Sequence, residues 1–111
     1  MVEGKDYRVA YYTLSDGSEP VRIWLGKLRD TVAKAQLFRR IGRLEGGQFG
    51  DCEPVGDGVH ELRIDVGKGY RVYFGNAKNE MILLLVGGNK KTQAKDIKLA
   101  KAYWKEYKNR G

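Results

Sequence analysis

Residues 60–74, HELRIDVGKGYRVYF, decide how this chain is read. Leu62, Ile64 and Val66 alternate with Glu61, Arg63 and Asp65. Beyond Gly67, Lys68 and Gly69, residues Tyr70, Val72 and Phe74 alternate with Arg71 and Tyr73. Period-two alternation marks a strand with one buried face, so the stretch predicts a β-hairpin. With the Gly-Lys-Gly triplet as its loop, Val66 faces Tyr70, Ile64 faces Val72 and Leu62 faces Phe74. All the apolar side chains then share one face, which a one-residue slip would undo. Arg63, Asp65, Arg71 and Tyr73 land on the other. The expectation is a rigid platform with two arginines and a tyrosine on an open face.

Upstream, residues 6–14 (DYRVAYYTL) are rich in Tyr and Val and suit a strand. Asp16, Gly17 and Ser18 are turn chemistry, and Ser18 is placed to cap a helix whose first turn holds Pro20. Val21, Trp24, Leu25 and Leu28 form one apolar helical face. Asp30 can cap a second helix, striped by Ala33, Leu37, Ile41 and Leu44, with Arg39, Arg40 and Arg43 outward and Gly46-Gly47 at its end. Residues 48–58, with four Gly or Pro, read as a loop. Downstream, residues 80–86 are a continuous apolar run that suits a buried strand. A helix over residues 93–108 follows, with Ile97, Ala100, Trp104 and Tyr107 on its packed side. Lys98, Lys101, Lys105 and Lys108 stripe another side, which reads most simply as a solvated face. The predicted order is β-α-α-β-β-β-α. It describes an α+β single small domain over residues 1–111, an antiparallel sheet with helices packed on one face.

The length of 111 residues fits one core. One cysteine, Cys52, excludes an internal disulfide and fits a cytoplasmic location. No apolar run approaches the roughly 18 residues of a membrane span, so no membrane partner is expected. The net charge of +7 is unevenly spread: residues 1–59 carry 9 Lys+Arg against 9 Asp+Glu, and residues 60–111 carry 12 against 5. A basic half points to a polyanionic partner, nucleic acid before acidic protein. One His and one Cys, far apart, leave no triad and no metal-ligand spacing, so neither metal nor cofactor is expected. What remains is a cationic cluster of Arg63, Arg71, Lys90 and Lys91. Arginine contacts phosphate through a planar fork and lysine supplies a point charge. Such a cluster can bind RNA or stabilise a phosphorane-like transition state. Tyr73 can stack on a base or donate a proton, and His60 can act as acid or base. The plainer alternatives are a strand-edge role for His60 and a salt bridge to Asp65 or Glu61 for Arg63.

Five motifs occur in order: WLGKLRD (24–30), GQFGD (47–51), GVHELRI (58–64), GKGYRVYF (67–74) and LLVGGNKKTQAKDI (84–97). Together they resemble the RelE/ParE toxin superfamily, nearest to its HigB-like addiction-module killer branch, over about residues 20–100. The resemblance implies a RelE-like fold. It implies a type II toxin–antitoxin toxin acting as a metal-independent, ribosome-dependent mRNA endoribonuclease, in which a 2′-hydroxyl attacks the adjacent phosphate. Arg71 matches the transition-state stabiliser, Arg63 and Lys90 the phosphate holders, and Lys91 and Gln93 the helpers. The general base stays open among His60, Tyr73 and a lysine of lowered pKa. The implied partners are a cognate helix-turn-helix antitoxin, the ribosome with its mRNA, and operator DNA through the antitoxin complex. The alternatives are a ParE-type toxin acting on DNA gyrase without nuclease activity, and a degenerate toxin that only binds its antitoxin.

Overall fold

The computed structural model describes residues 1–110. Its elements are β1 (Arg8–Tyr11), α1 (Pro20–Lys27), α2 (Thr31–Leu44), β2 (Cys52–Gly56), β3 (Val59–Arg63), β4 (Tyr70–Ala77), β5 (Met81–Asn89), a 3-10 turn (Lys90–Thr92) and α3 (Gln93–Lys108). Five strands form one sheet in the order β1-β5-β4-β3-β2. The domain is α+β, as expected, with three corrections to its architecture.

First, β2 lies within the stretch read as a loop. It pairs antiparallel with β3, and its Pro54 and Gly56 hide it from any alternation test. Second, β1 runs parallel to β5, so the sheet is mixed rather than antiparallel. Third, the helices cover both faces. Val21, Leu25, Ala33, Leu37, Ile41 and Leu44 of α1 and α2 pack against Leu62, Val72, Phe74, Ile82 and Leu84. Ala100 and Trp104 of α3 pack on the opposite side against Val59, Tyr73, Leu83, Leu85 and Val86. The face predicted to be open lies beneath α3, a burial that Tyr73 and Arg71 do not announce.

The central hairpin forms two residues out of the predicted register. Leu62 faces Val72 and Arg63 faces Arg71, leaving Ile64 and residues 65–69 in a wider connection. A two-residue shift preserves the side-chain parity, so each face keeps the predicted set. β5 carries a bulge: Tyr73 faces Val86 while Phe74 faces Leu84, so Leu85 is the extra residue. Leu85 and Val86 consequently share the α3 side, and the end of β5 is re-aimed.

Asp30 caps α2 as anticipated, its carboxylate accepting the Ala33 N–H at 3.0 Å. Ser18 does not cap α1; its hydroxyl is taken by Asp16, and the N-cap is Glu19, which makes no side-chain cap bond. Arg40, expected to face outward, instead bridges from α2 to the carbonyls of Arg63 (2.8 Å) and Phe49 (3.0 Å). Trp104 lies flat over Gly75 of β4, where a β-carbon would collide with the indole. Gly75→Ala is therefore expected to destabilise the fold by about 1–3 kcal/mol through forced movement of Trp104. Urea unfolding followed by tryptophan fluorescence measures this, with a lower midpoint and an unchanged slope.

Candidate phosphate-binding cleft

At the end of the sheet where β4 begins and β5 finishes, a cleft of about 670 Å³ opens between two backbone segments. One is the 65–69 connection, supplying Asp65, Lys68 and Gly69. The other is the end of β5 with its 3-10 turn, supplying Asn89, Lys90 and Lys91; Arg71 lies between them. Each segment is set by local chemistry. Gly69 has φ +70, and a β-carbon there would stand 3.1 Å from an Arg71 guanidinium nitrogen. The Asn89 side chain accepts the N–H groups of Lys91 (2.9 Å) and Thr92 (3.3 Å), while Thr92 Oγ1 accepts the Asn89 N–H. This reciprocal cap presents Lys90 and Lys91 at the rim. The Lys90 N–H reaches the Lys68 carbonyl at 3.4 Å, closing the two segments on each other.

Behind the cleft lies a group the hairpin pattern does not single out. Glu61 is 2% exposed, a carboxylate in the core. Its Oε2 accepts the Tyr73 hydroxyl and the Gln93 amide, each at 2.8 Å. Arg71 Nε stands 3.8 Å from Oε2 and Arg63 Nε 3.7 Å from Oε1. Both Nε–H groups are buried without a hydrogen-bond partner. Arg71, 7% exposed, is held at its other end by donating to the Gly69 carbonyl at 2.7 Å. The guanidinium is thus pinned front and back.

The seven residues singled out from sequence divide accordingly. Arg71, Lys90 and Lys91 meet at the cleft. Arg63 does not line it; it is engaged by Glu53 (2.6 Å), Asp51 (3.2 Å) and Glu61, the ion-paired alternative with two more partners than expected. Gln93 reaches the site only through Glu61. Tyr73 is fully buried, and burial, reinforced by the Glu61 carboxylate, holds its phenol far above the ordinary value. It is no stacking platform. His60 points to the α1–α2 side of the sheet, stacked on Phe74 with centroids 5.5 Å apart, away from Arg71. Asp65 lines the cleft instead of pairing with Arg63, whereas Glu61 does pair with Arg63 and also stands against Arg71. Glu61 carries no local sequence signal, because its burial depends on α3 closing over the sheet. Cys52 is inert: burial pushes its thiol up to about 11, and its Sγ–H donates to the Phe49 carbonyl. Among the described residues no three His, Cys, Asp or Glu gather as a metal-ligand set.

A cationic recess at the end of a small mixed sheet is a site suited to an anion. The model of the family described as "Phage derived protein Gp49-like (DUF891)" matches residues 24–105, and the chain belongs to that family, whose members are toxin-like addiction-module proteins. A protein of Haemophilus influenzae described as uncharacterized is 55% identical over 78 residues, covering 70% of this chain and 79% of its own length. No solved structure matches the chain significantly. Among the described residues no helix is long and apolar enough to cross a membrane.

Two outcomes follow, one for Glu61 and one for His60. Glu61→Ala leaves Arg71 buried without its counter-charge, an expected loss of about 3 kcal/mol in chemical denaturation. Burial lowers the pKa of His60 below its ordinary 6.5, with a smaller push from the chain's amino terminus. The unfolded state then binds the proton more tightly, so stability is lost as pH falls from about 6.5 toward the folded value. Melting temperatures at pH 7.5 and 5.5 are expected to show a larger acid-side drop in the wild type than in His60→Gln.

Proposed function

We propose that this chain is the toxin of a type II toxin–antitoxin module and cleaves messenger RNA in the ribosomal decoding site, in the cytoplasm and without a metal. On this reading residues 1–111 act as one RelE/ParE-type domain of the HigB-like branch. The observation that carries it is Arg71. A guanidinium held by the Gly69 carbonyl and backed by Glu61 stands beside the exposed Lys68, Lys90 and Lys91 in a recess with room for a phosphodiester and its flanking nucleotides. Donors that need not reorganise stabilise developing negative charge far better than mobile ones.

In the proposed reaction the 2′-oxygen of one nucleotide attacks its own 3′-phosphorus. The phosphorus–O5′ bond breaks, leaving a 2′,3′-cyclic phosphate and a 5′-hydroxyl. Arg71 and Lys90 neutralise the pentacoordinate phosphorane, and Lys91 holds a neighbouring phosphate. Asp65, the carboxylate on the rim, accepts the 2′-hydroxyl proton; the O5′ leaving group takes its proton from a rim ammonium such as Lys68. Arg63 acts from behind, ordering the Glu61 carboxylate and the Asp51–Glu53 segment, and Gln93 does the same from α3. The antitoxin, a helix-turn-helix protein, covers the basic rim and carries the complex to operator DNA.

Expression of Arg71→Ala in cells, with mRNA 5′ ends mapped, tests the assignment. The wild type is expected to generate new 5′-hydroxyl ends and arrest growth, and Arg71→Ala to lose about 10²–10³ of that cleavage. Asp65→Asn should lose a comparable factor, within the 10²–10⁴ of a general base. Equal toxicity of all three proteins with intact mRNA overturns the ribonuclease reading, and altered DNA supercoiling in those cells marks a gyrase toxin instead.

A further inference from the structure

The lysine stripe of α3 has no part in the cleft. Gln93 begins α3 beside the cleft, and the helix runs to the far end of the sheet, where β5 begins at Met81. There Arg8 of β1, Lys78 of the β4–β5 turn, Lys108 and the rings of Trp104 and Tyr107 line a second hollow of about 590 Å³. An adjoining hollow of about 570 Å³ continues along the helix past Lys101 and Lys105. β5 has nine residues from Met81 to Asn89, so its ends, and with them the second hollow and the cleft, lie about 26 Å apart at the usual rise per residue.

The chemistry of this hollow is not that of a merely solvated helix. Trp104 and Tyr107 stack with planes 8° apart and centroids 5.8 Å apart, Lys108 Nζ lying 5.5 Å from the Trp104 ring centre. Trp104 is wedged against β4 and the Gly58 turn, so the aromatic step is rigid. Tyr107 is half-buried, and the exposed Arg110 guanidinium lies 5.8 Å from its ring centre, a cation that an incoming base would share or displace. Among the described residues Arg8, Lys78, Lys105 and Lys108 form no ion pair; of the neighbouring cations only Lys101 (Asp57, 3.7 Å) and Arg110 (Glu106, 2.6 Å) do. Glu80 is the one acidic side chain lining the larger hollow.

We infer that the C-terminal half of α3, with Arg8 and Lys78, is a second RNA-binding surface, separate from the cleft, on which a single-stranded segment lays its phosphates along Lys105, Lys108 and Lys78 and stacks one base against Tyr107. Unpaired cations flanking a fixed aromatic step match the alternation of charge and flat apolar rings along a nucleic-acid strand. An acidic polypeptide would use the cations and leave the ring idle. The inference takes RNA as the ligand from the proposed function, but it does not require that the chain cleave it.

The test uses the full-length protein and a fluorescently labelled single-stranded RNA fully 2′-O-methylated, which cannot undergo attack by its own 2′-hydroxyl. Binding is followed by anisotropy across a series of salt concentrations, with circular dichroism verifying each fold. Lys105→Ala combined with Lys108→Ala is expected to weaken binding and to reduce the slope of log K against log salt by about 1.4, the loss of two phosphate contacts. Tyr107→Ala should weaken binding roughly ten-fold with the slope kept, and Tyr107→Leu should not restore it, whereas Tyr107→Phe should. An unchanged slope in the double variant, or poly-glutamate competing as well as unlabelled RNA whether or not Tyr107 is present, overturns the inference. If Arg71→Ala abolishes cleavage while binding of the methylated RNA still depends on Lys105, Lys108 and Tyr107, both readings hold. If no protein cleaves but that dependence persists, the ribonuclease reading falls and the RNA surface stands.

Discussion

A carboxylate buried between two guanidinium groups dominates the site end of this sheet. Glu61 has almost no solvent, and its charge is tolerable only because Arg63, Arg71, Tyr73 and Gln93 surround it. Those partners come from β3, β4 and the first turn of α3, so one ionised group ties two strands to the helix that crosses them. The arrangement also decides which arginine keeps charge for the cleft. Arg63 is consumed by three carboxylates, whereas Arg71 has only Glu61 at 3.8 Å and a single carbonyl. Positive charge is left over on β4, and the cleft opens there.

The rest of the cleft is shaped by backbone. The extra residue at Leu85 turns the end of β5, and two glycines then let neighbours approach from both sides. Gly87 takes the Trp24 ring, and Gly88 takes the carboxylate of Asp96. Strand and helices meet at one backbone thickness, and the Asn89 cap converts that junction into a rim carrying two lysines. Precision at the lysines therefore derives from hydrogen bonds of Asn89 and Thr92 rather than from packing of the lysines themselves.

Much of this could be read from residue order. Helix α3 has the bounds that its apolar periodicity predicts, and Asp30 caps α2 as its position suggests. The alternation in residues 60–74 sorts every side chain to its correct face, although the turn is two residues wider than the glycines imply. Face parity is a property of single strands; loop width is settled by tertiary contacts, here Gly67 against Asp30 and Lys68 against Lys90. Burial of the polar face escaped for a related reason. Arg71, Tyr73 and Glu61 look like a solvent-facing row until α3 is folded over them, and nothing local to the hairpin announces where a helix thirty residues later will lie. The parity of His60 with Leu62 sets it on the α1–α2 side, away from the cleft, and Asp65 joins the cleft only because the turn is wide.

The outer border of the sheet closes the account. Arg63 donates its N–H to the Asp51 carbonyl at 2.9 Å, and alternation along β2 and β3 then turns the backbone of residue 54 away from its neighbour. That residue is Pro54, which has no hydrogen to offer, and two positions later Gly56 swings the chain at φ +100. A foreign strand approaching this flank would meet a missing donor followed by a bend, so the ladder ends at five rungs and crowded copies of the molecule cannot zip together there.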